Sequence, residues 1–217
     1  VARYLFWDGG STPPTATVAD GASTAFTVES HNSGATNMAV AGYVGQAYLI
    51  LSATGHATIT VTFSKACGAS GELAVWVDEF APPSGETVSY DDGEVGSGTG
   101  TINTPTIPVS GSNELVTSVA SDEWSVGEAT GAWTLNDGGV QHSCNAAHIL
   151  SVSANTAVGY LGYSGKAYAA VGMSFKAAAV VTAAVTGTAT ASITEADIVA
   201  GGKTIILTLT NDTWIAA

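Results

Sequence analysis

His142, Cys144 and His148 all occupy even positions, so an unbroken strand would place two imidazoles and a thiol on one face, donor types that suit zinc. No fourth ligand is spaced nearby, and a polar strand with two ordinary histidines fits the same residues. No metal or other cofactor is expected. Cys144 also has a competing partner in Cys67, since the chain holds two cysteines. A Cys67–Cys144 disulfide would close a long loop and add about 2–4 kcal/mol, whereas assembly in a reducing cytosol would leave both as thiols.

Carboxylates offer a second kind of chemistry. Asp91, Asp92 and Glu94 surround Gly93 and supply hard oxygen ligands of the kind calcium prefers, but without the spacing of an EF-hand loop, and a solvated acidic loop is expected. Glu123 and Glu128 flank Trp124, which suggests the paired acids of a glycosidase beside a sugar platform. Two acids on one loop are common by chance, so no catalytic residue is assigned. Trp124 and Trp133 can stack on sugar rings if exposed; large aromatics in β-sandwiches more often fill the core or cap its open end. Gly96-Ser97-Gly98-Thr99-Gly100 lacks the strand-to-helix setting of a phosphate cradle, and no Ser-His-Asp order or dinucleotide fingerprint is present. The chain is not expected to be an enzyme.

Charge narrows the partners. Lys and Arg total 5 against 18 Asp and Glu, a formal net charge of −13, which repels phosphate backbones and anionic lipid. Neither nucleic acid nor a membrane is an expected partner. Hydrophobic residues make up 46% but are dispersed as Ala and Val among Thr, Ser and Gly, and no apolar run reaches the roughly 20 residues of a membrane helix. Only 11% of residues are charged, so Thr, Ser, Asn and Gly must cover the surface, as in extracellular and virion β-proteins. The opening VARYLFWDGG has no apolar stretch of signal-peptide length, and Val1 fits either Met removal or a processing cut.

The elements that must position these residues are strands. Ala57 to Phe80 reads as the organising pair: Ile59, Val61 and Phe63 alternate with threonines, and Leu73, Val75 and Val77 lie opposite Ala74, Trp76 and Asp78, with a Gly/Ser loop between. ARYLFW is an aromatic strand apolar on both faces, and STAFTVESHN, MAVAGYV and QAYLILS continue the series at the spacing of sandwiches and barrels. APPSGETVSYDDGEVGSGTG reads as a surface excursion crossing between sheets. ELVTSVAS, VQHSCNAAHILSVSA, AVGYLGYSG and KAYAAVGMSFKA supply later strands. In the tail, Thr194 with Asp197 fits a capping box for one helical turn ended by Gly201-Gly202, followed by the strand KTIILTLTND.

The order TVTFS, a loop, a strand ending near DEF, a Gly/Thr-rich crossover, NELV at Asn113 to Val116 and SFKA at Ser174 to Ala177 resembles a jelly-roll-like β-sandwich module of tailed-phage structural proteins and bacterial surface proteins. SITEADIVAGGKTIILTLTNDTW resembles part of an Ig-like β module. The first likeness spans roughly Ala39 to Ala177, and with the strand pattern it leads to the expectation of an all-β chain, an antiparallel jelly-roll-like sandwich over 1–177 with a small C-terminal Ig-like β module over 178–217. It also implies a non-enzymatic virion subunit of head-decoration or tail-fibre type, whose partners are other virion subunits and further copies of itself. About 40 residues make a marginal core, so Ile205, Leu207 and Leu209 on one side of the tail strand are expected to form an assembly contact. The alternative is a secreted or cell-surface module that binds carbohydrate, with a host-surface glycan as partner.

Overall fold

Short runs rich in Val, Ile, Thr and aromatics, broken by Gly, Pro, Asn and Ser, favour strands over helices. The computed structural model describes residues 1–7, 12–22, 24–32, 42–50, 58–67, 72–122, 126–131, 133–135, 144–162 and 165–179, and among these there is no helix. The chain divides into two units, Val1–Val180 and Val181–Ala217. The second unit, with Ile205, Leu207 and Leu209, lies outside the described residues, and of the module expected over 178–217 only Ala178 and Ala179 are described, as the end of the last strand of the first unit.

The strands are β1 (Ala2–Trp7), β2 (Ala16–Asp20), β3 (Thr27–Asn32), β4 (Tyr43–Tyr48), β5 (Ile59–Phe63), β6 (Glu72–Val77) and β7 (Glu86–Thr99). They continue as β8 (Ile102–Asn103), β9 (Glu114–Asp122), β10 (Val126–Ala129), β11 (Thr134–Leu135), β12 (Cys144–Val152), β13 (Gly159–Gly162) and β14 (Ala167–Ala179). They form four antiparallel sheets, ordered β3-β4-β1-β6, β11-β12-β9-β14-β7, β10-β13-β8 and β2-β5.

The side chains show how the sheets stack. Leu5 and Val44 from the first sheet meet Val119, Cys144, Ala146, Ala169 and Val171 from the five-stranded sheet, with Trp76 alongside. On the far side of the first sheet, Ala2, Tyr4 and Phe6 pack on Val18, Ile59, Val61 and Phe63 of the β2-β5 pair. On the far side of the five-stranded sheet, Val116, Ala120, Ala147 and Ala170 pack on Ile102, Val126 and Tyr160 of the β10-β13-β8 sheet. Both central sheets are thus covered on two faces, so β1, β4, β9 and β14 are buried almost continuously instead of alternating. Each fully buried Leu or Phe in such a layer contributes roughly 1.5–3 kcal/mol.

Two expectations need correction. The runs 59–63 and 72–77 do not pair with each other: β5 pairs with β2 in an outer layer and β6 pairs with β1 at the margin of a central sheet. A period of two reports that one face is covered, but it does not name the neighbour that covers it. The glycine-rich stretch 93–99 is likewise no surface crossing, because it belongs to β7, paired with β14. Its glycines make room for neighbours: a Cβ at Gly96 would lie 2.7 Å from the Pro105 ring and one at Gly98 would lie 3.0 Å from Tyr168.

Candidate functional site

The zinc constellation fails on strand geometry. Cys144 and His148 do share one face of β12, but four residues of extended chain separate them by about 13 Å, too far to share one ion. His142 lies outside the described residues, among which no cluster of three or more potential ligands occurs. His148 instead packs edge-on against Phe80, ring centroids 5.1 Å apart, with its Nδ1 buried and, among the described residues, without a hydrogen-bond partner. Burial, and then the charge of Arg3, hold its pKa below the ordinary histidine value.

Cys67 and Cys144 remain thiols. Cys67 packs against the cluster under the β2-β5 layer and its Sγ lies 3.3 Å from the Trp7 carbonyl oxygen, while Cys144 is buried between the two central sheets. The disulfide considered from the sequence is not formed, because the two side chains belong to different layers.

The acidic run does not form a loop. In the β7–β14 ladder Asp92 faces Ser174 and Tyr90 faces Phe175, so Asp91 is the extra residue of a β-bulge. Its carboxylate accepts hydrogen bonds from Ser110 N–H at 2.9 Å, Ser110 Oγ at 2.6 Å and Lys176 Nζ at 2.8 Å. Burial alone would raise the Asp91 pKa, but the hydrogen bonds from Lys176 and Ser110 outweigh it and bring it to about 2. Glu114, fully buried nearby, accepts from the Gly111 N–H at 2.5 Å. Burial raises its pKa, Gly111 opposes that shift, and the Asp91 charge adds to it. A lysine therefore occupies the place that a cation would take beside Asp91, and the cluster ties β7 and β14 to the segment before β9.

A second polar group lies between the central sheets. Arg3 is fully buried, donates to the Ala147 carbonyl at 2.9 Å and pairs with Asp78. Burial pushes its guanidinium down to about 10, so it stays charged at neutral pH. Beside it Gln46 donates to the Val171 carbonyl at 2.9 Å and accepts from Thr117 Oγ1 at 2.8 Å. These bonds fix the register of one central sheet on the other. The only early hint in the sequence is a lone Arg inside the apolar run ARYLFW, a residue type that this chain uses sparingly.

Among the aromatic candidates, Trp133 is half-buried against the cluster under the β10-β13-β8 sheet, where it caps core. Trp124 and Glu123 lie outside the described residues, as does the side chain of Glu128. Tyr48 and Tyr90 stack on each other, centroids 4.8 Å apart, and both meet Phe175 edge-on.

The margins of the central sheets differ in a way the sequence reading missed. On the β6 margin, Leu73, Val75 and Val77 are 55%, 48% and 50% exposed. They stand opposite Phe6, Tyr4 and Ala2, so they continue the face that β2-β5 covers elsewhere. The β7 margin instead carries the Asp91 bulge together with Glu86, Asp92 and Glu94, devices that discourage strand pairing. An available signal was that ELAVWV is apolar on both faces. Comparison with protein-family models, with curated proteins and with solved structures gives no match for this chain.

Proposed function

We propose that this chain is a non-enzymatic structural subunit that acts through protein–protein contacts, and that its setting is a tailed-phage virion, in a head-decoration or tail-fibre position. The observation that carries the assembly reading is the β6 margin: among the described residues no strand pairs with its outer edge and its apolar stripe is exposed, whereas the β7 margin is bulged and charged. The placement in a virion rests on the sequence resemblance and on the uncharged, Thr/Ser/Gly-rich composition. The charged clusters support the same reading, since Asp91, Lys176 and Arg3 are engaged in bonds that hold strands together.

The test is binding to particles. Purified protein should form oligomers or attach saturably to particles of the virus that encodes it. A chain that stays monomeric and ignores such particles, yet is retained by a defined glycan, would overturn this reading in favour of a carbohydrate-binding module.

A further inference from the structure

We infer that β6 is a homotypic pairing edge, through which two copies of this chain join antiparallel about a two-fold axis at Val75. The inference deepens the assembly reading and rests on it.

The backbone provides the first step. Asp78 N–H donates to the Val1 carbonyl at 2.9 Å, which fixes the phase of the β1–β6 ladder. Antiparallel pairs alternate between hydrogen-bonded and non-hydrogen-bonded positions, so Trp76 and Ala74 bond to β1 while Leu73, Val75 and Val77 turn their N–H and C=O groups to the open edge. Among the described residues no strand lies beyond β6, and its register with β1 runs without a bulge.

The side chains provide the second step, and they select a second copy as the occupant. A two-fold at Val75 sets Val75 against its own counterpart and Leu73 against Val77, so the exposed stripes of both copies meet on one face. On the other face the same register sets Ala74 against Trp76, small against large. Glu72 falls opposite Asp78, whose charge is already met by Arg3. The product is one continuous eight-stranded sheet built from two four-stranded ones, with the apolar stripe covered.

Charge gives the pairing a signature. Each copy carries −13, so the two repel at long range, and salt should strengthen the dimer by screening.

Sedimentation should show a concentration-dependent dimer whose fraction rises between about 20 mM and 500 mM NaCl, a range over which the screening length falls severalfold. Val75→Lys, at a half-exposed position, should abolish it with the circular dichroism unchanged. Under mild oxidation Val75→Cys should yield a covalent dimer, since paired Cα atoms about 5.5 Å apart lie within disulfide reach. Leu73→Cys should not cross-link to itself, because the two-fold places those residues about 13 Å apart. A monomer at every salt concentration overturns the inference, as does equal cross-linking of both variants, or cross-linking of neither. Oligomers or particle attachment that persist in Val75→Lys would also overturn it while leaving the assembly reading intact.

Discussion

Removing Asp78 should damage the fold more than removing Arg3, although the two form one ion pair. Arg3 is fully buried whereas the Asp78 side chain is 24% exposed. Asp78→Ala strands a guanidinium between the central sheets with the Ala147 carbonyl as its remaining described partner, and an uncompensated buried charge costs about 3–5 kcal/mol. Arg3→Met removes the buried charge, fills much of its volume with apolar atoms, and leaves a carboxylate that water can reach. Its cost should be about 1–2 kcal/mol, from the hydrogen bond lost to Ala147. For a unit of this size each kcal/mol moves the melting temperature by about 2–4 °C, so Asp78→Ala should lower it by roughly 6–20 °C and Arg3→Met by about 2–8 °C. Calorimetry in a Val75→Lys background keeps self-association from entering the comparison. If Arg3→Met proves the more damaging change, or if both are neutral, the buried charge is not what Asp78 compensates.

Four further outcomes are expected. Gly172→Ala would drive a Cβ into Ile107 Cδ1, so overpacking should cost about 1–3 kcal/mol; in a double-mutant cycle of chemical unfolding, Ile107→Ala should cost less in that background than alone. Glu114 has a raised folded pKa, so its contribution is full below the unfolded value near 4.5 and is lost as pH rises through the folded one; Glu114→Gln should therefore flatten stability across that window. Asp91 has the opposite sign, a folded pKa of about 2 against 3.8, and the stability it confers should disappear as pH falls below about 4, a loss that Asp91→Asn abolishes in acid titrations followed by fluorescence. Mass spectrometry should show no change on reduction, with Cys67 alkylated before unfolding and Cys144 after it.

Strand content was legible in the sequence because the period-two signal is local. The all-β antiparallel class, and the burial of ARYLFW on both faces, follow from apolar residues at successive positions, and the structure shows β1 buried along nearly its whole length. Pairing was not legible for the same reason. TVTF and LAVW each announce a strand, but the choice of β2 and β1 as partners depends on which sheet needs a cover, and that is decided by residues far away in the chain. The glycines of 93–98 misled because glycine signals a turn locally, whereas here it yields space to Pro105 and Tyr168 across a layer boundary. The candidate ligands misled because shared parity gives a shared face without closeness, as Cys144 and His148 show.

Stacking of four sheets also explains why the informative surface is so narrow. A two-layer sandwich must expose the outer face of each sheet, and alternation then marks which residues are core. Here the outer faces of both central sheets are covered by small sheets drawn from the same chain, so apolar residues on both faces are the rule for β1, β4, β9 and β14 and carry no sign of a partner. β6 obeys the same rule in sequence but not in structure, because the β2-β5 cover packs over β1 and β4 and leaves Leu73, Val75 and Val77 exposed. β6 is thus apolar on both faces while Leu73, Val75 and Val77 stay exposed, and the proposed pairing would cover that stripe. In this molecule the sequence of that strand, read antiparallel about Val75, complements itself.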